Sequence, residues 1–397
     1  MTLPDPRPVT APTTVKWPGE PGTGGWYTDA EHAALATVLA EMPSWTSDYP
    51  RDHQEAFETA FAGYTGAGFA VCLNSGGTAL DIAMACLDAE PGGEVISCAI
   101  NFPGTHLAVL GAGLRLVLAE PDPATLNLDP ADVPRRMTVR TVAILVTCMN
   151  GQAADLAAIT AAAAARATEL GIAAPRVVVD AARAAGATTP AGPLGSGAWL
   201  TMFSFQRKKA MTTLGEGGML TTDCAATAHR IRQIRSFGLG QVWGSSYRMT
   251  EFQAAVGLVQ LRRLDEMNDR RIDLARRRTA LLADAPGVRT PTEIVGYRHV
   301  YYLYNLLLDP ATPTSVRDRL QIVLRDEHGI GTVVANPPTY RTHPLIVAAT
   351  AEQGPFPVAE DVAGRLLCPA LHPLMTEQEN TVIARAIIAS LATVGIG

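Results

Sequence analysis

Seven short runs in the first two thirds of the chain are apolar without alternation. They are "FAVCLN" (69–74), "EVISCAI" (94–100), "LRLVLAE" (114–120), "TVAILVT" (141–147), "RVVVD" (176–180), "WLTMFSF" (199–205) and "GGMLTT" (217–222). A surface strand would alternate polar and apolar positions. Continuous runs mark strands buried on both faces of a mostly parallel sheet. Between them, Ala- and Leu-rich stretches such as "TALDIAMACLDA" and "DLAAITAAAAARATELG" have helical spacing and supply the crossovers. The pattern therefore predicts an α/β core, a mostly parallel seven-stranded sheet with helices on both faces. A long helical pattern then runs from Thr250 to about Ala285 and ends at "PGVRTP". Beyond it "YYLYNLLLD" reads as a strand, and "SVRDRLQIVLRDEHG" and "ENTVIARAIIASLATV" as helices. The expected division is a Pro-rich arm over 1–20, a large domain over 21–270 and a smaller C-terminal α+β domain over 271–397.

Charge and composition narrow the function classes. A net charge of −6 leaves no basic excess to neutralise phosphates, which argues against nucleic-acid and anionic-membrane partners. The one dense basic stretch, "RRIDLARRR" (270–278), reads as a solvated helix face. Six cysteines are scattered singly, mostly inside apolar runs, and read as small hydrophobes rather than disulfides or metal ligands. The opening "MTLPDPRPVTAPTT" has no apolar signal-type core, and no stretch approaches the ~20 apolar residues of a membrane span. The expectation is a soluble, cytoplasmic protein.

Candidate chemistry gathers where the strands end, because ligands of such sheets collect at the carboxyl edge. After the first run, "NSGGTALD" opens a helix with small residues, Gly77 and Thr78 among them. Free amides there favour a phosphate, although tight packing alone also explains such a turn. After the second, "NFPGT" offers Phe102, either a stacking ring or a core residue. The fifth run ends in Asp180, which could be a buried carboxylate or merely a helix N-cap. The sixth leads into "FSFQRKKAMTTLGEGG", with Ser204 and a lysine pair, Lys208 and Lys209. A phosphate cup, an aromatic plate, a carboxylate and a lysine are together what pyridoxal 5′-phosphate requires.

The lysine stretch resembles the motif S-F-[HQ]-x-x-K followed by G-[ED]-G-G of the DegT/DnrJ type of sugar and cyclitol aminotransferases. "DAARAAGA", "SCAINFPGT", "NGQAADLAAI", "YRMTEFQAAVGLVQLRRLDE" and "CPALHP" are similar to further blocks of that family. The resemblance implies a fold type I, pyridoxal-phosphate-dependent transferase that works as a homodimer with shared active sites. It implies that Lys209 is the Schiff-base lysine, Asp180 the partner of the pyridine nitrogen and Phe102 the stacking ring. Gly77, Thr78 and Ser204 would hold the phosphate, and Ser246, in "SSYRM", would reach the neighbouring subunit's cofactor. Lys208 is then a flanking surface cation, and Glu216 a structural acid in a tight turn. The sequence departs from the family pattern at three places. Arg183 stands where Gln is common beside the cofactor's phenolic oxygen. Cys148-Met149-Asn150-Gly151 replaces H-L-Y-G, and Ser246 replaces a frequent Asn. Gln206, in place of a common His, resembles the branch acting on cyclitols (inososes) and on aminobenzoate-type rings. The expected activity is transfer of an amine from glutamine or glutamate to a ring ketone, a cyclitol or sugar, in antibiotic biosynthesis. The alternatives are a nucleotide-linked keto-sugar aminotransferase, a sugar dehydratase (in which the lysine is typically His) and a non-catalytic cofactor-binding regulator.

Overall fold

The computed structural model describes residues 15–41, 52–310 and 312–396. All seven apolar runs form strands: β1 Phe69–Leu73, β2 Glu94–Cys98, β3 Arg115–Ala119, β4 Thr141–Thr147, β5 Arg176–Asp180, β6 Leu200–Ser204 and β7 Gly218–Thr222. They make one sheet in the order β1-β7-β6-β5-β4-β2-β3. β7 runs antiparallel to both its neighbours, and the remaining pairings are parallel. Every residue of β2, β6 and β7 is buried, which is why these segments carry no polar alternation. Because β1, β2, β4, β5 and β6 share one direction, the segments after Leu73, Cys98, Thr147, Asp180 and Ser204 emerge along one edge. That edge carries the candidate chemistry.

Helix Gly76–Ala85 starts three residues after Leu73, the last residue of β1, with Ser75 as its N-cap. Helix Leu156–Leu170 is capped by Asp155 and stops at Gly171, whose φ of 69° places it in the left-handed region. The 31-residue helix Glu251–Leu281 opens with a Thr250/Gln253 capping box. Its first half packs Leu261, Leu264 and Met267 into the core around the large sheet. Its second half adds Ile272, Leu274 and Ala275 to a separate apolar cluster with Leu306, Leu320, Ile383 and Leu391. That second cluster lies on a four-stranded antiparallel sheet: Val288–Arg289, Leu306–Leu308, Leu366–Pro369 and Thr332–Val333, in that order. The helices Thr314–His328 and Glu377–Thr393 cover it.

Three expectations are corrected. Only Leu306–Leu308 of "YYLYNLLLD" is a strand. The preceding residues form a loop because Val300 and Leu303 donate their amides to Gly151 and Asn150, with Tyr301 at φ 48°. The basic stretch is not wholly solvated: Arg271 and Arg278 are buried. Arg271 donates to the carbonyl of Gly24, and Arg278 donates to Asn380 Oδ1 at 2.9 Å with its guanidinium over the Tyr304 ring. Of the expected arm, residues 1–14 lie outside the described residues, whereas Trp17 is buried and pairs with the Ile330 segment.

Burial pushes the Arg278 guanidinium down to about 10, so it remains charged at neutral pH and depends on Asn380 for an acceptor. Asn380 also donates to the Leu274 carbonyl at 2.8 Å, so it ties two helices together. Asn380→Ala is expected to cost about 2 kcal/mol, the scale of a hydrogen bond to a buried charged group. Urea unfolding would measure it, and a change below about 0.5 kcal/mol would contradict this account.

Candidate active site

A cavity of about 440 Å³ opens at the carboxyl edge of the sheet, walled by Gly76, Gly77, Phe102, Asp180, Arg183, Ser204 and Lys209. The sequence places these residues up to 133 positions apart, from Gly76 to Lys209, and the parallel strand order brings them together. At one end, Ser75 Oγ accepts from the Thr78 amide at 3.1 Å and pairs with Thr78 Oγ1 at 2.9 Å. The Thr78 hydroxyl is therefore engaged by the cap, and Ser75 lines the cavity. The first amides of a helix have no intrahelical acceptor, so those of Gly76 and Gly77 remain to bind an anion. A Cβ on Gly76 would lie 2.8 Å from the Cβ of Ser204, which explains the glycine: the helix start and the end of β6 touch.

Asp180 is 3% exposed at the tip of β5. One carboxylate oxygen accepts from the Ala182 amide at 3.0 Å, as a local cap would. The other accepts from Thr105 Oγ1 at 2.7 Å, a residue in the first turn of the helix that follows β2. The capping reading thus accounts for only half of the carboxylate. Thr105 belongs to a buried polar set. Thr147 donates to Asn101 Oδ1, Asn101 donates to Ser97, and the neutral His106, pushed down to about 3 by burial, pairs with Thr339. Phe102 is not a core residue: it is 58% exposed at the cavity mouth, N-capping helix Pro103–Gly111. Gly104 leaves room for the ring, since a Cβ there would stand 2.7 Å from it.

Lys209 lies on the cavity wall in the turn after β6, its amide donating to the Gln206 carbonyl. Desolvation and the nearby Arg183 charge push its amine down to about 8, against the opposing pull of Asp180 and Glu20. Lys208 is not a free surface cation. It is half-buried, 2.8 Å from Glu20, and it also lines the cavity. Glu20 in turn accepts from the Tyr302 hydroxyl at 2.7 Å. Burial raises the Glu20 carboxyl, but hydrogen bonds from Lys208 and Tyr302 outweigh it and hold it below its usual range. The Tyr302 ring is 5.2 Å from the Lys209 amine and 5.3 Å from the Arg183 guanidinium. Burial is the main reason its phenol is raised far above its usual range.

Glu216 lines the opposite wall with an exposed side chain, while its carbonyl accepts from Thr213 and Gln253, the structural role expected of that turn. Ser246 lies outside this cavity, on an exposed segment where Arg248 donates to it at 3.1 Å. Sequence reasoning missed Glu20, Ser75, Thr105, Tyr302 and Asn336. Only Ser75 carried a local signal, as the polar residue before a glycine-rich helix start.

Residues 28–388 match the DegT/DnrJ/EryC1/StrS aminotransferase family. The chain is 36% identical over 336 residues to the erythromycin biosynthesis sensory transduction protein EryC1 of Saccharopolyspora erythraea, covering 83% of this chain and 88% of that one. It is 32% identical to the dTDP-3-amino-3,4,6-trideoxy-alpha-D-glucose transaminase of Streptomyces venezuelae, covering 80% and 82%. The structure of the aminotransferase TlmJ from Streptoalloteichus hindustanus superposes with a TM-score of 0.83 at 29% identity, covering 94% and 99%. The strand order, the site at the carboxyl edge and these matches lead to one conclusion: the chain belongs to the DegT/DnrJ/EryC1/StrS aminotransferase family and is an aminotransferase.

Proposed function

We propose that this aminotransferase moves the amine of an amino acid onto the ring ketone of a keto sugar, with Lys209 as its reacting lysine. Its cofactor is pyridoxal 5′-phosphate, and the residues present fit it. The observation that carries the reading is one cavity walled by an N-terminal helix turn, a buried carboxylate and a lysine whose amine is half-neutral near pH 8. When bound, the cofactor supplies an aldehyde that takes up an amine and a ring that accepts electrons.

The chain's own groups have separable duties. The amides of Gly76 and Gly77 with the hydroxyls of Ser75 and Ser204 suit a phosphate. Phe102 would offer an aromatic face at the mouth. Asp180, oriented by Thr105, presents a fixed negative charge to a protonated ring nitrogen. Lys209 Nζ, once neutral, could take the proton from the donor's α-carbon in the first half-reaction and, in the second, deliver a proton to the carbon that receives the amine. A lysine at its ordinary 10.5 would be almost wholly protonated at pH 7.5 and unable to accept a proton. Intact Lys209 and Asp180 favour this activity over a non-catalytic regulator or a dehydratase.

A keto sugar carried on a nucleotide is the favoured acceptor, supported by the sugar-nucleotide transaminase named among the relatives. The cyclitol reading rests on Gln206, and its side chain has a local task here: Oε1 accepts from the Lys208 amide at 2.9 Å. That makes Gln206 weaker evidence for a different substrate. Nucleotide-linked amino sugars and aminocyclitols, added separately to the cofactor-loaded protein, would decide between them. The amino sugars are expected to alter the cofactor's absorbance. If only aminocyclitols do so, the cyclitol reading replaces this one.

Three further outcomes follow from the site geometry. In cofactor-free protein, the rate at which Lys209 reacts with an aldehyde, trapped with borohydride and mapped by mass spectrometry, should rise with pH to a midpoint near 8. The sign follows from the lowered value, since the neutral amine is the reactive form and predominates above it. A midpoint near 10.5, or label on Lys208, would show that the amine is not desolvated as described. Asp180→Asn should keep bound cofactor yet lose roughly 100-fold in turnover. Thr105→Val should lose about tenfold, the value of one hydrogen bond to a charged group. Steady-state rates beside cofactor absorbance test both, and a near-normal Asp180→Asn enzyme would reduce Asp180 to a helix cap.

A further inference from the structure

Arg183 and Asn150 are two of the places where the sequence departs from the family pattern, and they touch: Arg183 Nη1 donates to Asn150 Oδ1 at 2.7 Å. Asn150 is held in turn. Its φ is 52°, its Nδ2 donates to Asn305 Oδ1 at 2.7 Å, and the Leu303 amide binds its carbonyl. Cys368 donates to the same Asn305 oxygen from behind. The Tyr302 ring supports the guanidinium from another side. A backed, oriented cation therefore faces the cavity.

The neighbouring charges are already matched. Lys208 is neutralised by Glu20, and Lys209 must shed its proton to react. Asp180 is engaged by Thr105 and the Ala182 amide, and Glu20 by Lys208 and Tyr302. Among the described residues, no carboxylate lies within ion-pairing distance of Arg183. Arg183 is half-buried on the cavity wall beside a second cation, an arrangement that an anionic ligand group would relieve. Every amino-acid donor carries an α-carboxylate next to the carbon that must meet Lys209. The reacting ring of a keto sugar carries no such group, and a diphosphate would lie beyond that ring.

We infer that Arg183, positioned by Asn150 and Asn305, is the residue that binds the α-carboxylate of the amino donor. This rests on the aminotransferase reading and adds donor recognition to it. A planar guanidinium suits a carboxylate through paired hydrogen bonds, whereas the family's common Gln could offer only a single amide.

The test uses cofactor-loaded protein and glutarate, a dicarboxylate without an amine to transfer. Calorimetry should show glutarate binding to the wild type and at least about tenfold weaker binding to Arg183→Gln. Arg183→Lys should recover part of the affinity. In steady state, Arg183→Gln should raise the KM for glutamate about tenfold and leave that of the acceptor within about twofold. Asn150→Ala should move the same donor constants in the same direction. Unchanged glutarate and glutamate dependence in Arg183→Gln overturns the inference. So does a shift confined to the pH dependence of the cofactor's absorbance, which would assign the guanidinium to the cofactor's ring oxygen. Loss of donor binding in Arg248→Gln but not in Arg183→Gln overturns it as well. A wild-type protein whose absorbance no amino acid alters would refute the aminotransferase reading and this inference with it. In the three preceding outcomes the aminotransferase reading survives.

Discussion

The site depends on keeping a lysine amine dry. Taking the Lys209 ammonium out of water costs enough to move its titration down to about 8, and folding must tolerate that cost. The surroundings divide into groups that impose the shift and groups that limit it. Arg183 adds to it by repulsion, while Asp180 and Glu20 pull the other way. Glu20 is spread over Lys208 and Tyr302, so its charge is partly used before it reaches Lys209. The neighbouring lysine thus contributes by absorbing a carboxylate that would otherwise pair with Lys209. That is why adjacent lysines can differ so much in chemistry.

The same constraint accounts for the packing around the turn. A backbone carbonyl of the turn lies where a Cβ on Gly24 would be, only a glycine fits there, and the segment before it brings Glu20 to the mouth. That segment is fixed in turn by the pairing of Trp17 with Ile330 and by Arg271 on the Gly24 carbonyl. A buried helix arginine that does not line the cavity therefore helps hold the cover of the lysine turn. The shared helix Glu251–Leu281, which feeds both apolar clusters, carries that arginine.

Much of this was legible in the sequence for a definite reason. Strands buried on both faces must be apolar throughout, so the seven runs announced themselves, and parallel order then fixed which loops share an edge. The place of Lys209 on the cavity wall was legible from its spacing to Ser204 and to the glycine turn. Tyr302 was not, because "YYLYNLLLD" has the composition of a strand while its first half is tied as a loop to Asn150 and Gly151. Arg271 and Arg278 were misread for a related reason: a basic helix repeat looks solvated until a second layer supplies Gly24 and Asn380 as acceptors. Glu20 acts through partners 188 and 282 residues away and Thr105 through one 75 residues away, and no local pattern encodes such pairs.

The departures at Arg183 and Asn150 are best understood as one change rather than two. A tyrosine at position 150 would place a ring where the Asn150 carboxamide accepts from Arg183, and a glutamine at 183 would leave that carboxamide without its donor. Each substitution alone would strand a polar group in a partly buried place, which costs about 1–3 kcal/mol. Together they satisfy each other and leave the guanidinium's remaining N–H groups for the cavity. Asn305 completes the set from the Tyr302 loop, and that loop's backbone already binds Asn150 and Gly151. A change at either position thus draws on the same loop that supports the lysine. On the inference above, donor recognition and the titration of the Lys209 amine are coupled by construction: the cation placed to meet a carboxylate is also one that helps lower the lysine's titration.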